Sequence, residues 1–506
     1  MTTDLNRRVR EFHEYLDKMQ ALGRAVGLSH WDQSTGAPKG GVAGRSKFTG
    51  ILAGMEFSMK ISAQMKHFID ELGADRDILD ELTRGLLRRC QRDYDAYAGI
   101  PPDEYGAFCE LTARAEAAWE DAKHRSDYSL FKPFLSDIIA FKKRFVEYRG
   151  YDKRPYDALL DEFEPGMTVD QLDLFFGDVK GAVVPLLKRI IEARNKGGVK
   201  PVRTDFLSGV PRRRQLAVTR LVCEKLGYDF DRGLIAESEH PFSTSFGRND
   251  CRITTHYLEE NWLSSFFSVA HEAGHAIYEQ NKRPDIQDTL MDDGVSCAIH
   301  ESQSRFYENI VCRRREFWDY IYDDMKNALS PRLDGVGADE LFAAANIVEP
   351  GPIRIEADEV TYPLHVLVRY ELEKAVFEEG AGADDLPALW NEKYARYLGV
   401  APKNDAEGIL QDVHWSDGSF GYFPSYAVGS AYSAQFLAYM NREFDVGGAV
   451  ANGGIQRLTG WLREHIHQYG GLRTPDELVR GIAGEGFDSK YYVDYLNGKY
   501  YSIYRL

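Results

Sequence analysis

The chain has 506 residues, 43% of them apolar and 12% aromatic, and a formal charge of -17. That length and apolar content suit a globular protein with a large core. The acidic balance argues against a nucleic-acid partner, whose phosphates it would repel. No window nears the roughly 18 uninterrupted apolar residues of a membrane span.

The N-terminal MTTDLNRRVREFHEYLDKM alternates charged and apolar residues at helical spacing. It lacks the apolar core of a secretory signal, and with the net charge it points to a cytoplasmic protein. Helical periodicity then runs through residues 4–26, 44–72, 76–98, 103–125, 128–148, 169–195, 211–226, 261–281, 294–327, 338–346, 363–379, 387–397, 426–442, 450–468 and 474–484. Breaks rich in Gly, Pro and Asp separate these stretches, as at Gly36-Ala37-Pro38-Lys39-Gly40-Gly41. The basic triplets Arg212-Arg213-Arg214 and Arg313-Arg314-Arg315 read as solvated helix faces. Six cysteines show no C-x-x-C pair, which suits free thiols in a reducing compartment. The expected architecture is mainly α, a single domain over residues 1–506, with two lobes around a groove as a variant.

One segment departs from the helical pattern. HPFSTSFGRNDCRITTH, from His240 to His256, alternates Ser, Thr and Phe around a Gly-Arg-Asn-Asp turn. It reads either as a short hairpin offering an edge strand to a peptide or as an irregular loop.

Just downstream comes His271-Glu272-Ala273-Gly274-His275, an H-E-x-x-H within SSFFSVAHEAGHAIYEQ. On a helix, residues four apart share a face, so two imidazoles grip one ion from the same side. Glu272 points about 100° further round, better placed for a water than for the ion. Two His and a Glu among apolar flanks would be costly to bury without a cation. A catalytic zinc takes a third protein ligand and keeps one open position. Glu301, in the stretch His300-Glu301-Ser302-Gln303, fits a His, His, Glu set, although on spacing alone it is equally an exposed helix residue. His300 competes for the place but faces another direction. An ion so held would acidify water, with Glu272 as general base.

The chain resembles the carboxypeptidase Taq-like metallocarboxypeptidases from end to end. The stretches that carry the likeness are His240-Pro241-Phe242, Asp250-Cys251-Arg252-Ile253-Thr254, the H-E-x-x-H with His300-Glu301-Ser302-Gln303, Ile353-Arg354-Ile355-Glu356-Ala357-Asp358-Glu359, and Gly408-Ile409-Leu410-Gln411-Asp412-Val413-His414-Trp415. His30-Trp31-Asp32-Gln33, with Pro38 and Arg45, adds to it. The resemblance implies a mainly helical fold with a long central groove, like neurolysin and angiotensin-converting enzyme, and a homodimer. It implies removal of single residues from peptide C-termini, supported by one divalent metal, zinc or else cobalt.

Carried over residue by residue, His271, His275 and Glu301 are the expected ligands and Glu272 the base. Arg354 is expected to receive the terminal carboxylate, since a guanidinium fork pairs bidentately with it. The alternative is a surface arginine paired with Glu356 or Asp358. His414, Tyr422 and Tyr426 are the candidates for oxyanion and carboxylate contacts, with Tyr426 favoured. Gly418 to Tyr426 reads as a mobile, substrate-facing loop. His240 and Arg252 are expected to shape the substrate cleft or to hold the hairpin. Asp358 and Asp412 are expected to orient ligands.

Overall fold

Asn261 shows how local chemistry starts an element. Its side chain accepts a hydrogen bond from Leu263 N and caps the helix Trp262–Gln280, which carries the H-E-x-x-H motif. The computed structural model describes residues 3–198 and 200–506, and of Ala43 the backbone alone; these residues are mostly α-helix with one small sheet. Among them no helix is long and apolar enough to cross a membrane.

Several expected stretches divide where a side chain stops one helix and starts another. Residues 44–72 form two helices, Val42–Lys60 and Ala63–Gly73, because Ser62 Oγ accepts from Met65 N and opens the second. Residues 294–327 also break. Cys297–Arg305 is α-helical, Phe306–Val311 is a π-turn, and Arg315–Leu329 starts after an extended Arg314. Pro155–Phe163 and Lys490–Tyr504 are helices that periodicity did not pick out.

The chain divides into two compact units. The first comprises Met1–Ala98, Arg203–Ala345 and Tyr439–Gly486. Here the motif helix packs against Arg212–Leu226, Cys297–Arg305 and the sheet. Its apolar residues Trp262, Phe266, Val269, Ala270, Ala273 and Ile277 are fully buried. The sheet has strands β1 (Ile235–Glu237), β2 (Ser243–Ser245) and β3 (Cys251–Thr255) in the order β1-β3-β2. β2 and β3 form the antiparallel hairpin, with Ser243 opposite Ile253 and Ser245 opposite Cys251. β1 joins β3 in parallel, a pairing that three residues gave no pattern to foresee.

The second unit comprises Gly99–Val202, Asn346–Ala438 and Phe487–Leu506. Its central helix, Tyr362–Glu378, is buried along most of its length. It packs against Pro155–Phe163, Val169–Asn195 and Leu386–Tyr397.

Candidate active site

In the first unit, His271 and His275 lie one turn apart on the motif helix and meet Glu301 from Cys297–Arg305. Glu301 Oε2 is 3.5 Å from His271 Nε2 and 3.5 Å from His275 Nε2. One donor atom from each residue lies within 4.8 Å of the others. That spacing and the N, N, O donor set fit a divalent cation such as zinc. Gly274 makes the convergence possible. A Cβ there would stand 2.7 Å from the Gln303 carbonyl oxygen and 2.7 Å from Ser304 Cα, so only glycine lets the two helices come this close.

These three candidate ligand side chains are held from behind. Glu308, from the π-turn, places Oε2 2.9 Å from His271 Nδ1. Arg305 spans both carboxylates, donating to Glu301 Oε1 at 2.7 Å and to Glu308 Oε2 at 3.1 Å. Burial works to raise the Glu301 carboxyl, but Arg305 and the imidazoles outweigh it and hold it well below the ordinary carboxylate range. Glu272 is also buried, and burial pushes its carboxyl up to about 7, against the pull of His271 and a hydrogen bond from Ser243 on β2.

In the second unit, Arg354 is buried. It donates through Nε and Nη2 to Asp412 Oδ1 at 3.0 and 2.8 Å, and through Nη1 to the Tyr362 hydroxyl at 3.2 Å. Arg369, fully buried, pairs with the other Asp412 oxygen at 2.6 Å. Two guanidiniums thus share one carboxylate. Burial would raise Asp412, and the two arginines overcome it, holding it far below its usual value. The Tyr426 hydroxyl is 3.1 Å from His414 Nε2, and the Tyr422 ring stacks on His414 at 5.4 Å. Burial and then Arg354 lower His414 to about 4, so its imidazole is neutral at neutral pH.

The family description "Carboxypeptidase Taq (M32) metallopeptidase" matches residues 11–500. The chain belongs to this family. Carboxypeptidase 1 of Bacillus subtilis is 42% identical over 500 residues, 98% of this chain and 99% of that one. Thermostable carboxypeptidase 1 of Pyrococcus furiosus is 36% identical over 485 residues, 96% of each chain. The crystal structure of an M32 carboxypeptidase from Deinococcus radiodurans superposes with a TM-score of 0.94 at 33% identity, covering 99% of this chain and 100% of that one.

Some residues of this metallocarboxypeptidase sit in company that the sequence did not suggest. Arg354 pairs with Asp412, not with Glu356 or Asp358. Asp358 ties the turn before the helix Tyr362–Glu378, accepting from Val360 N, Thr361 N and Thr361 Oγ1, and Asp412 serves the arginines. Arg252 grips Asp250 with two bonds of 2.7 Å and lies over the Phe246 ring at 4.9 Å; His240 is exposed, its carbonyl accepting from Ser238. Arg313 is no solvated face. It stacks over Phe267 at 3.9 Å and bonds Asn309 at 3.0 Å. The stretch Gly418 to Tyr426 is tied down: Phe420 and Phe423 are buried, and Gly421 N donates to Glu373 at 2.7 Å. Glu373 also accepts from the Tyr156 hydroxyl at 2.5 Å and the Trp415 indole at 2.7 Å.

Sequence reading missed Glu308, Arg369 and Glu373. Each lies inside a helical pattern where a charged residue normally marks the solvent side. Only Arg369 gave a hint, as an arginine in the apolar run LHVLVRY.

Proposed function

We propose that this peptidase holds one divalent ion on His271, His275 and Glu301, zinc with cobalt as the alternative, and releases single residues from the C-termini of peptides. The observation that carries the reading is the convergence of donor atoms from two half-buried imidazoles and the buried Glu301 carboxylate, with Glu272 buried on the same helix as the imidazoles. An ion bound there supplies Lewis acidity toward a peptide carbonyl and acidifies water.

The remaining work falls to side chains. Glu272 takes a proton at its carboxylate and hands it to the departing amine. Arg354 receives the terminal carboxylate. The pairing of two guanidiniums with one Asp412 supports this, because it leaves a surplus positive charge in a buried place, which an anionic substrate end offsets. The Tyr426 hydroxyl, oriented by neutral His414, donates to the developing oxyanion, and Tyr422 packs the imidazole in place. His240 contacts the substrate, while Arg252 braces the hairpin that brings Ser243 to Glu272. The working form is a cytoplasmic homodimer. The family likeness supports the dimer, and the six free cysteines support the compartment.

The test is a peptide with a blocked N-terminus, digested by zinc-loaded protein and followed by mass spectrometry. A ladder shortened one residue at a time from the C-terminus is expected, and amidation of that end should nearly abolish it. Internal fragments, or equal cutting of the amidated peptide, would replace this reading with an endopeptidase.

A further inference from the structure

Behind His275 stands a line of groups that this function does not yet use. His275 turns Nε2 toward Glu301, and its Nδ1 lies 2.5 Å from His300 Nδ1. His300 Nε2 lies 3.0 Å from Glu279 Oε1. Glu279 Oε2 accepts from the Lys282 ammonium at 2.5 Å, and that ammonium also donates to the Asp292 carbonyl at 3.0 Å. The Lys282 side chain is 0% exposed, so the ion pair is out of water. The His300 ring has little freedom. It packs on Tyr278 at 5.1 Å, and a Cβ at Gly294 would stand 2.8 Å from its Cδ2.

Two ring nitrogens that face each other bond only when one carries hydrogen and the other a lone pair. A carboxylate only accepts, so Glu279 requires N–H at His300 Nε2. With that one N–H, the His300 ring has its lone pair at Nδ1. His275 Nδ1 must supply the hydrogen, which leaves the His275 Nε2 lone pair facing Glu301. The geometry points to Glu279 as a positioning residue that, through His300, selects the tautomer in which His275 offers Nε2 to the metal. The two imidazoles are thus anchored differently: His271 directly by Glu308, His275 by a carboxylate one residue removed. This inference rests on the ligand set proposed above.

The experiment measures zinc affinity by competition with a chromophoric chelator. In Glu279→Gln the amide oxygen turns to Lys282 and the NH2 to His300 Nε2, demanding the wrong tautomer, and affinity should fall by about 10–100-fold. His300→Asn places a side-chain oxygen where it accepts from His275 Nδ1–H without help, so its loss should stay under about 5-fold. Glu279→Gln added to His300→Asn should then cost nothing more. Imidazole 15N shifts of the unaltered zinc-loaded enzyme should show N–H at His275 Nδ1 and His300 Nε2, and they decide the matter if a variant fails to fold. Wild-type affinity in folded Glu279→Gln, multiplying losses in the double variant, or N–H at His300 Nδ1 would overturn the relay. Unchanged zinc binding in His275→Ala would instead overturn the ligand set itself.

Discussion

Gly274 lies against the backbone of Gln303 so closely that a methyl group there would stand 2.7 Å from its carbonyl oxygen. In an ordinary helix interior, Gly→Ala stabilises by about 1 kcal/mol. Here the sign reverses, because the neighbour is backbone and cannot swing aside. Gly274→Ala should cost about 1–3 kcal/mol through overpacking. It should also spread Glu301 away from the two imidazoles. Thermal melts and chelator competition measure both effects, and a variant as stable and as tightly metallated as the parent would contradict the packing argument.

Glu272→Gln keeps the shape of the side chain and removes the proposed base. The ligand atoms are untouched, so zinc binding should persist. Turnover should drop by about 10²–10⁴-fold. Steady-state kinetics beside a metal assay separates the two, and a variant with full kcat would take Glu272 out of the reaction.

Arg354→Lys keeps a charge but loses the planar fork that now engages Asp412 and Tyr362. KM for a peptide with a free C-terminus should rise by about 10-fold or more, with zinc affinity unchanged. If KM stays put while the fold holds, another cation receives the terminal carboxylate.

Glu373 gives the stability a readable pH dependence. Burial pushes its carboxyl up to about 7 from 4.5, despite three donors. The folded chain therefore binds this proton more tightly than the unfolded chain. The associated stability is fully present below pH 4.5 and is lost as pH rises through about 7, amounting to about 3 kcal/mol. Relative to Glu373→Gln, which has no such proton, the parent should lose melting temperature between pH 5 and pH 8. Parallel curves for the two proteins would refute the assignment.

The candidate metal face was legible because its residues obey a local rule: His271, Glu272 and His275 are placed by helix pitch alone. Glu301 was only half legible. Its role depends on how one helix docks on another at Gly274, which spacing does not encode. His300 was expected to face away from the candidate ligand set, and its Nδ1 meets His275 Nδ1 on the side away from Glu301, a contact that its position in the chain did not announce. The helix boundaries at Ser62 and Arg314 were missed because apolar periodicity continues through them, and a single cap or extended residue resets the axis. Arg369 and Glu373 stayed hidden for a related reason, because buried charges are recognised by partners distant in the chain.

The π-turn at Phe306–Val311 bears on how such chains diverge. It follows directly on the Glu301 helix and sets Glu308 behind His271. Losing one residue there would restore ordinary α-geometry and swing position 308 about 100° around the axis. Point replacements on the turn leave that orientation intact, whereas a one-residue gap does not. Kindred chains that align without gaps across 306–311 and keep glutamate at 308 are therefore the ones in which the same carboxylate still steadies the first imidazole.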